Sequence, residues 1–208
     1  GPGQNEIDFR YSDALSSADN ALTFKSVVKT IAMQNGLYAC FSPKPLEDES
    51  GNGLHINISI KSSGTEERDA FIAGILKHIK EITAFLNPTE ESYLRLGEKK
   101  APKYITWSHE NRSQLIRIPA ANGEYERFEL RSPDPCANPY IAYALLIYAG
   151  LDGIRNHMEL CEPLNVNLFK ADKSVTDMLE TLPLSLSEAL RLARKSELIN
   201  KYLPDILR

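Results

Sequence analysis

The chain has 208 residues, of which 42% are hydrophobic and 25% are charged, as in a globular domain large enough to enclose its own core. Its formal net charge is −4 and it has no long basic tract, so we expect no nucleic-acid partner. The most apolar stretch, residues 141–151, is much shorter than the roughly 20 residues of a membrane span, so we expect no membrane partner. The 3 scattered cysteines fit neither a disulfide framework nor a metal site, which predicts a cytoplasmic location.

The first half of the chain is predicted to contain two helices and two strands. In chain order, these are a helix at 12–35 that ends at Gly36, a short strand at 37–41, a loop at 42–53, a strand at 54–61 and a helix at 66–86. The strand at 54–61 has the clearest pattern, because apolar and polar residues alternate at every position. Residues 89–103 are polar and are predicted to be irregular.

The second half is predicted to contain three strands followed by two helices. The strands are placed at 104–107, 115–119 and 128–132, and the helices at 139–156 and 185–194. Asn138 precedes Pro139 as a helix cap, and Ser185 and Glu188 have the spacing of a capping box. Because helices and short loops separate the strands unevenly, the sequence predicts an α+β fold with a largely antiparallel sheet and flanking helices.

Three polar residues share one face of the strand at 54–61, namely His55, Asn57 and Ser59. An imidazole, a carboxamide and a hydroxyl on one rigid face are able to bind a metal ion or a polar ligand. From spacing alone, however, a solvated face of an antiparallel sheet is the simpler interpretation.

Two other strands carry arginines around one acid. Arg127, Glu129 and Arg131 alternate along the strand at 128–132, and Arg112 and Arg117 accompany the strand at 115–119. The arginine fork matches carboxylate and phosphate oxygens, so these residues suit metal-assisted phosphoryl transfer. A surface ladder of ion pairs, which contributes little to stability, is the alternative interpretation.

A set of short strings occurs in the order found in the catalytic domain of glutamine synthetases, of which the bacterial type I enzymes are the most similar. The strings are Gly3-Gln4-Asn5-Glu6, Ser42-Pro43-Lys44-Pro45, Gly51-Asn52-Gly53-Leu54-His55, Asn87-Pro88-Thr89, Ser92-Tyr93-Leu94-Arg95-Leu96, Asn111-Arg112-Ser113, Ile116-Arg117-Ile118-Pro119, Glu129-Leu130-Arg131, Pro133-Asp134-Pro135 and Ala149-Gly150-Leu151-Asp152-Gly153-Ile154. The resemblance runs from the first residues to about residue 156. It implies a fold of the glutamine synthetase and guanido kinase type.

The resemblance also implies a reaction. ATP phosphorylates the side chain of glutamate, and ammonia then attacks the resulting γ-glutamyl phosphate to give glutamine. Two divalent cations, Mg²⁺ or Mn²⁺, organise the phosphates and the glutamate carboxylate. The implied partners are therefore glutamate, ammonia and ATP.

Matching positions imply a role for each candidate residue. Glu6 resembles a ligand of one metal ion, and His55 and Glu129 resemble ligands of the other. The glutamate-binding residues are Gly51, Arg95 and Arg131, and the nucleotide-binding residues are Asn57, Ser59 and Arg127. Arg112 and Arg117 resemble the catalytic arginines that face the phosphates.

The sequence departs from the family pattern in the loop before Ala101-Pro102. The family has a glutamate there that helps to bind ammonium and take its proton, whereas this chain has Lys100 and a loop one residue shorter. Because the charge of lysine disfavours ammonium, Glu98 is the expected substitute for that glutamate. A γ-glutamyl ligase that acts on another amine, and a non-catalytic glutamine-synthetase-like protein, are the alternatives.

The resemblance further implies a division into residues 1–160, the core of the catalytic domain, and residues 161–208, its helical extension. The family's N-terminal β-grasp domain and its acidic E-x-E strand have no counterpart in this sequence. Since that strand supplies a ligand to each metal ion, both metal sites are expected to be incomplete here and the chain alone to be inactive. The parent protein is expected to be a large ring-shaped homo-oligomer.

Overall fold

The computed structural model describes residues 1–61, 64–120 and 127–207, and these form seven helices and four short strands. The helices are α1 (Ala14–Gln34), α2 (Thr65–Leu86), α3 (Glu90–Arg95), α4 (Pro139–Arg155), α5 (Lys173–Thr176), α6 (Leu186–Lys195) and α7 (Glu197–Tyr202). The strands are β1 (Ile56–Ile58), β2 (Trp107–His109), β3 (Ile116–Ile118) and β4 (Phe128–Leu130). Within these described ranges, no helix is long and apolar enough to cross a membrane.

The four strands form one mixed sheet in the order β1-β4-β3-β2. The β1–β4 and β4–β3 pairs are antiparallel, and only the β3–β2 pair is parallel. The predicted α+β class with a largely antiparallel sheet is therefore confirmed.

One face of the sheet is apolar and packs into the core. Ile56, Leu130, Ile116 and Trp107 occupy neighbouring register positions on that face, and all four are buried. The ring of Phe128 lies 5.9 Å from the ring of Phe71 on α2, which joins the sheet to the helices. Since side chains alternate along a strand, the opposite face receives the polar residues.

The helical layer is built on the pair formed by α2 and α4. The two helices approach so closely that a Cβ at Gly153 would lie 1.9 Å from the Ala70 carbonyl oxygen, and one at Gly74 would lie 2.2 Å from that of Ala149. Glycine is therefore required at both positions, since a larger residue forces the helices apart. Residues 141–151, the most apolar stretch of the chain, lie within α4.

The predicted helices and strands agree with the structure with three exceptions. The strand predicted at 37–41 is wrong: Leu37 and Tyr38 are exposed, and this segment does not join the sheet. The stretch predicted to be irregular at 89–103 contains α3, which begins with a capping box between Thr89 and Ser92. The strand predicted at 104–107 begins only at Trp107, because Tyr104 instead forms an isolated bridge with Thr181.

The helix predicted at 185–194 is α6, and Ser185 Oγ accepts a hydrogen bond from the Glu188 backbone N–H at its start. Its buried residues Ala189 and Ala193 belong to the same hydrophobic cluster as the sheet residues. The proposed boundary at residue 160 stays a prediction, and residue 208 of the predicted extension lies outside the described residues.

A buried histidine links α2, α4 and the start of α7. His78 Nε2 lies 2.8 Å from Asp152 Oδ2, and its Nδ1 lies 3.2 Å from Glu81 Oε2. Glu81 also accepts a hydrogen bond from Ser196 Oγ, and Lys77 pairs with Asp152. Burial lowers the pKa of His78, but the two carboxylates outweigh burial, and the net pKa is raised.

We expect the contribution of His78 to stability to depend on pH. A raised pKa in the folded state means that its contribution is complete below pH 6.5 and is lost as the pH rises through the folded pKa. The pKa values of Glu81 and Asp152 are lowered, so the contribution of these two carboxylates to stability is lost as the pH falls into the acid range. We therefore expect His78→Gln to lower the free energy of unfolding by about 2 kcal/mol near pH 5.5 and by less at pH 8, measured by urea denaturation.

The exposed His157 provides a matched control, since its backbone φ of 50° is one that asparagine adopts readily. His157→Asn is expected to leave stability nearly unchanged at both pH values. If His78→Gln lowers the free energy of unfolding equally at pH 5.5 and pH 8, then His78 stabilises the fold by packing and not by its charge.

Candidate functional site

A row of four polar residues crosses the sheet on the face opposite the core. Asn57 on β1 pairs with Glu129 on β4, Glu129 pairs with Arg117 on β3, and Arg117 pairs with Ser108 on β2. Strand alternation puts them on one face, and the register aligns them side by side. Of these, Ser108 was not predicted, although it stands between Trp107 and His109 in an alternating segment.

Glu129 is the centre of this face. Its Oε1 lies 3.2 Å from His55 Nδ1, while its Oε2 accepts hydrogen bonds from Arg131 at 2.8 Å and from Arg117 at 3.1 Å. Burial alone would raise the pKa of Glu129, but the hydrogen bond with His55 and the charge of Arg131 lower it to about 2. Glu129 is therefore a permanent anion at neutral pH, although only 7% of the residue is exposed.

The two arginines that hold Glu129 differ in how firmly they are anchored. Arg131 is buried and donates from Nε to the carbonyl oxygen of Arg112 at 3.1 Å, in addition to its bond with Glu129. Arg117 keeps 19% of its side chain exposed, and its buried Nε has no hydrogen-bond partner among the described residues. The exposed part of the Arg117 side chain, and not its buried Nε, is accessible to an anionic ligand.

The structure thus brings four of the predicted site residues together on one face, namely His55, Arg117, Glu129 and Arg131. Arg112 contributes its carbonyl oxygen to Arg131, while its side chain is exposed.

The three predicted nucleotide-binding residues lie at the β1 edge of the same face. Arg127 is exposed and donates from Nε to Asn57 Oδ1 at 3.1 Å. Ser59 follows β1 and is partly buried. Their predicted contact with a nucleotide stays a prediction.

Gly51 lies in the loop that precedes β1, and other parts of the chain contact this loop on two sides. Gln4 donates to the Gly51 carbonyl oxygen at 3.1 Å and to Asn52 Oδ1 at 2.8 Å. A Cβ at Gly51 would lie 2.3 Å from the Pro43 carbonyl oxygen and 2.9 Å from Cγ of Arg95, so only glycine fits there. Glu6, close in sequence to Gln4, is exposed.

Arg95, predicted to bind glutamate, lies beneath this loop and is 3% exposed. Its NH1 donates to the Ser132 carbonyl oxygen at 2.7 Å, and its NH2 donates to those of Pro133 and Arg131 at 3.1 and 3.4 Å. Asn87 donates to the same Ser132 oxygen at 2.8 Å and to Asp134 at 3.1 Å. The sequence strings around Asn87 and Asp134 were recognised, but no role was predicted for these supporting residues.

Glu98 and Lys100 lie in an exposed turn between α3 and β2. Glu98 borders a cavity of about 350 Å³ that is also lined by Lys103, Ser113 and Phe169. Because Ser113 is adjacent to Arg112 in the chain, this cavity adjoins one end of the arginine-bearing segment.

Among the described residues, no three His, Cys, Asp or Glu side chains are grouped as a complete metal site. His55 and Glu129 nevertheless fit two positions of an octahedral ion. Donors at about 2.1 Å from a metal and at right angles are about 3 Å apart, and the observed separation of Nδ1 and Oε1 is 3.2 Å. The carboxylate suits Mn²⁺ or Mg²⁺, whereas the imidazole favours a transition metal, so this pair suits Mn²⁺ better than Mg²⁺.

The geometry therefore defines a class of site, in which an ionised carboxylate, an imidazole and arginines on a rigid sheet are suited to binding a metal ion and phosphate. Comparison with known proteins identifies the family. The family model described as glutamine synthetase, catalytic domain, matches residues 1–207. The chain belongs to this family.

Its relatives include glutamine synthetases from Methanosarcina mazei, 46% identical over 97% of this chain, and from Clostridium saccharobutylicum, 44% identical over 98%. The chain spans about half the length of these relatives, 49% in both cases. Among solved structures, a GmaS–ADP complex matches 93% of the chain with a TM-score of 0.82 and 33% identity, and covers 48% of that protein. GmaS without ligand matches 92% with a TM-score of 0.82 and 34% identity, and the match covers 47% of its length.

Proposed function

We propose that this chain supplies the phosphoryl-transfer surface of an enzyme that uses ATP to join ammonia to glutamate. The observation that carries this proposal is Glu129, held as an anion between His55 and two arginines on one sheet face. Sequence identities of 44–46% to glutamine synthetases support it. The similarity to a GmaS–ADP complex supports a nucleotide as ligand.

His55 and Glu129 would hold one divalent cation, Mg²⁺ or Mn²⁺, which neutralises the charge of the phosphates and polarises the transferred group. Glu6 is the proposed ligand of a second ion. The carboxylate of Glu129 also fixes the guanidinium groups of Arg117 and Arg131 through its other oxygen. Glu129 would thereby position both the metal ion and the two guanidinium groups, which are the positive charges that the reaction needs.

In the first step, a γ-carboxylate oxygen of glutamate attacks the γ-phosphorus of ATP, and ADP leaves. Arg117 and Arg112 stabilise the negative charge spread over the phosphoryl oxygens. Arg95, Arg131 and the Gly51 backbone hold the glutamate, and Arg127, Asn57 and Ser59 contact the nucleotide.

In the second step, ammonia attacks the acyl carbon, the nitrogen loses a proton and inorganic phosphate leaves. Glu98, at the cavity beside Ser113, is the proposed proton acceptor.

A ring-shaped assembly, a cytoplasmic location and the division at residue 160 also remain proposals for the whole protein.

The proposal is tested with the protein that carries this chain at its natural length. Incubation with ATP, glutamate, ammonia and Mg²⁺ or Mn²⁺ is expected to release ADP and phosphate and to form glutamine in equal amounts, measured by chromatography of all three products. Omission of the divalent cation is expected to abolish product formation. ATP hydrolysis without glutamine would contradict ligase activity.

A second candidate is a γ-glutamyl ligase for a larger amine, and the turn at residues 97–100 favours it. Lys100 stands in the sequence where the family has the glutamate that binds ammonium, and Lys99 has a φ of 46°, a left-handed backbone conformation that is uncommon for lysine. In a competition assay with equal concentrations of ammonia and a panel of primary amines, preference for one amine would support this candidate. Preference for ammonia would exclude it.

A further inference from the structure

The fold brings together two of the 3 cysteines, Cys40 and Cys136, which are far apart in the sequence. Cys136 Sγ donates a hydrogen bond to the carbonyl oxygen of Phe41 at 3.7 Å, although these two residues are 95 positions apart in the chain. Phe41 directly follows Cys40, and successive Cα atoms are about 3.8 Å apart, so the Cys136 sulfur lies within about 10 Å of the Cys40 Cα. Both cysteines are exposed and have free thiols.

The charges around Cys136 include the second thiol. Partial burial and the Asp134 carboxylate raise the pKa of the Cys136 thiol, and the nearby Cys40 raises it further. Lys25 acts in the opposite direction, because its ammonium donates to the carbonyl oxygen of Pro135 and is thereby held beside the thiol. A thiolate formed at Cys136 therefore has a cation next to it.

The segment that carries Cys40 has few hydrogen bonds to the rest of the fold. Within the described part of the chain, no backbone N–H or C=O of residues 38–41 forms a hydrogen bond with another backbone group. Tyr38 is exposed, while the ring of Phe41 packs 6.1 Å from the ring of Phe24 on α1. A disulfide requires Cα atoms about 4.4–6.8 Å apart, and a segment without backbone hydrogen bonds is able to make this adjustment.

We propose that Cys40 and Cys136 form a redox-active pair that a peroxide converts into a reversible intramolecular disulfide. In the first step, the Cys40 thiolate attacks one oxygen of hydrogen peroxide, the O–O bond breaks, and hydroxide leaves, so that Cys40 becomes a sulfenic acid. In the second step, the Cys136 thiolate attacks the Cys40 sulfur, the S–S bond forms, and a second hydroxide leaves. The two hydroxides take up the two thiol protons, so two thiols and one peroxide give one disulfide and two waters.

The order of the two steps follows from the surroundings of the thiols. The raised pKa of Cys136 makes its thiolate scarce at neutral pH, so the attack on peroxide is assigned to Cys40. Lys25 is placed to stabilise the Cys136 thiolate in the second step. The pair shares no residue with the proposed ligase site, so its oxidation can be tested whether or not the protein forms glutamine.

The disulfide is also expected to stabilise the fold. It encloses the part of the chain that contains all four strands, from β1 to β4. Closing such a long loop lowers the entropy of the unfolded chain. The urea midpoint of the oxidised protein is therefore expected to lie above that of the reduced protein.

The test compares the natural-length protein in dithiothreitol with the same protein treated with a small molar excess of hydrogen peroxide at low protein concentration. Peptide mass spectrometry of a non-reduced digest is expected to show one cross-linked species that contains Cys40 and Cys136 and is lighter by two hydrogen atoms. Dithiothreitol is expected to separate the two peptides and to return the urea midpoint to that of the reduced protein.

Single-cysteine variants test the order of the steps. In Cys136→Ser, the sulfenic acid at Cys40 has no partner and is expected to be trapped by dimedone, whereas Cys40→Ser is expected to give much less dimedone adduct at Cys136. Cys161→Ser is the matched control, because Cys161 lies beside β2, where its carbonyl oxygen accepts from Trp107 Nε1 at 2.7 Å. This control is expected to form the disulfide as the wild type does.

Peroxide-treated protein that keeps both thiols would overturn the proposal, and so would Cys40 that is found only as a sulfinic acid or joined to a second molecule. More dimedone adduct at Cys136 in Cys40→Ser than at Cys40 in Cys136→Ser would overturn the assigned order. Each substitution replaces an exposed sulfur by oxygen, and circular dichroism establishes that each variant is folded before its oxidation is measured.

Discussion

Replacement of Glu129 by glutamine is expected to lower kcat/KM for the proposed ligation by about 10²–10³-fold, since the metal ion that Glu129 is proposed to hold would supply several kcal/mol of charge stabilisation and each 1.4 kcal/mol is a factor of ten. Glutamine has nearly the same shape, so the change removes charge and not volume. Its amide cannot accept from Arg117, Arg131 and His55 as the carboxylate does, so two guanidinium groups lose their anion. Steady-state kinetics over a range of Mn²⁺ concentrations measures both the rate and the metal dependence.

Glu129→Asp is the matched control, because it keeps the charge and moves it by one methylene. We expect it to be intermediate in rate and to regain activity at high Mn²⁺, whereas Glu129→Gln is not rescued. Activity of Glu129→Gln within twofold of the wild type would remove the basis of the proposed function.

The charge of Glu129 is also expected to make the free energy of unfolding depend on pH. The pKa of Glu129 in the folded protein is about 2, below the ordinary 4.5. Its contribution to the free energy of unfolding is therefore complete above pH 4.5 and is lost as the pH falls through about 2. The difference in unfolding free energy between the wild type and Glu129→Gln is therefore expected to be constant near neutral pH. This difference in unfolding free energy is expected to become smaller as the pH is lowered below 4.5.

The site could be predicted from the sequence where its geometry is local. Alternation along residues 54–61 puts His55 and Asn57 on one face, and alternation around Glu129 does the same for Arg127 and Arg131. The sequence does not contain the register that sets Asn57 opposite Glu129 and Glu129 opposite Arg117. Family resemblance was therefore needed to prefer a functional interpretation over a solvated strand face.

The predictions that were wrong failed for two different reasons. Residues 37–41 have strand-like composition, but Leu37 and Tyr38 are exposed, and the ring of Phe41 packs against Phe24 of α1 instead of joining the sheet. α3 has six residues, which is too short for helical periodicity to be detected, although its Thr89–Ser92 cap was present in the sequence.

The hydrogen bonds of Arg95 are a further feature that the sequence does not predict. Its acceptors lie 36 to 38 residues away in the chain and are backbone oxygens, which no side-chain pattern identifies. The sequence therefore predicts an important arginine at this position, while its burial and its partners come from the structure alone.

Removal of Arg117 is expected to have the largest effect on the rate, a fall in kcat of about 10³–10⁵-fold for Arg117→Ala, which is the range for an arginine that stabilises a transferred phosphoryl group. The side chain is held by Glu129 at one end of its fork and has an unpaired Nε. In the proposed transition state, the phosphoryl oxygens accept hydrogen bonds from the exposed part of this guanidinium, and the interaction is stronger than in the ground state because the planar fork matches the geometry of the group being transferred.

Arg117→Lys separates charge from geometry. Lysine restores a point charge but not the planar fork, so we expect it to recover only part of the loss in kcat. The exposed Arg191 on α6 lies on a helix away from the sheet, and Arg191→Ala is expected to leave kcat unchanged. If Arg117→Ala raises only the KM for ATP and keeps kcat, then Arg117 binds the nucleotide equally in the ground and transition states, and its proposed role in phosphoryl transfer is wrong.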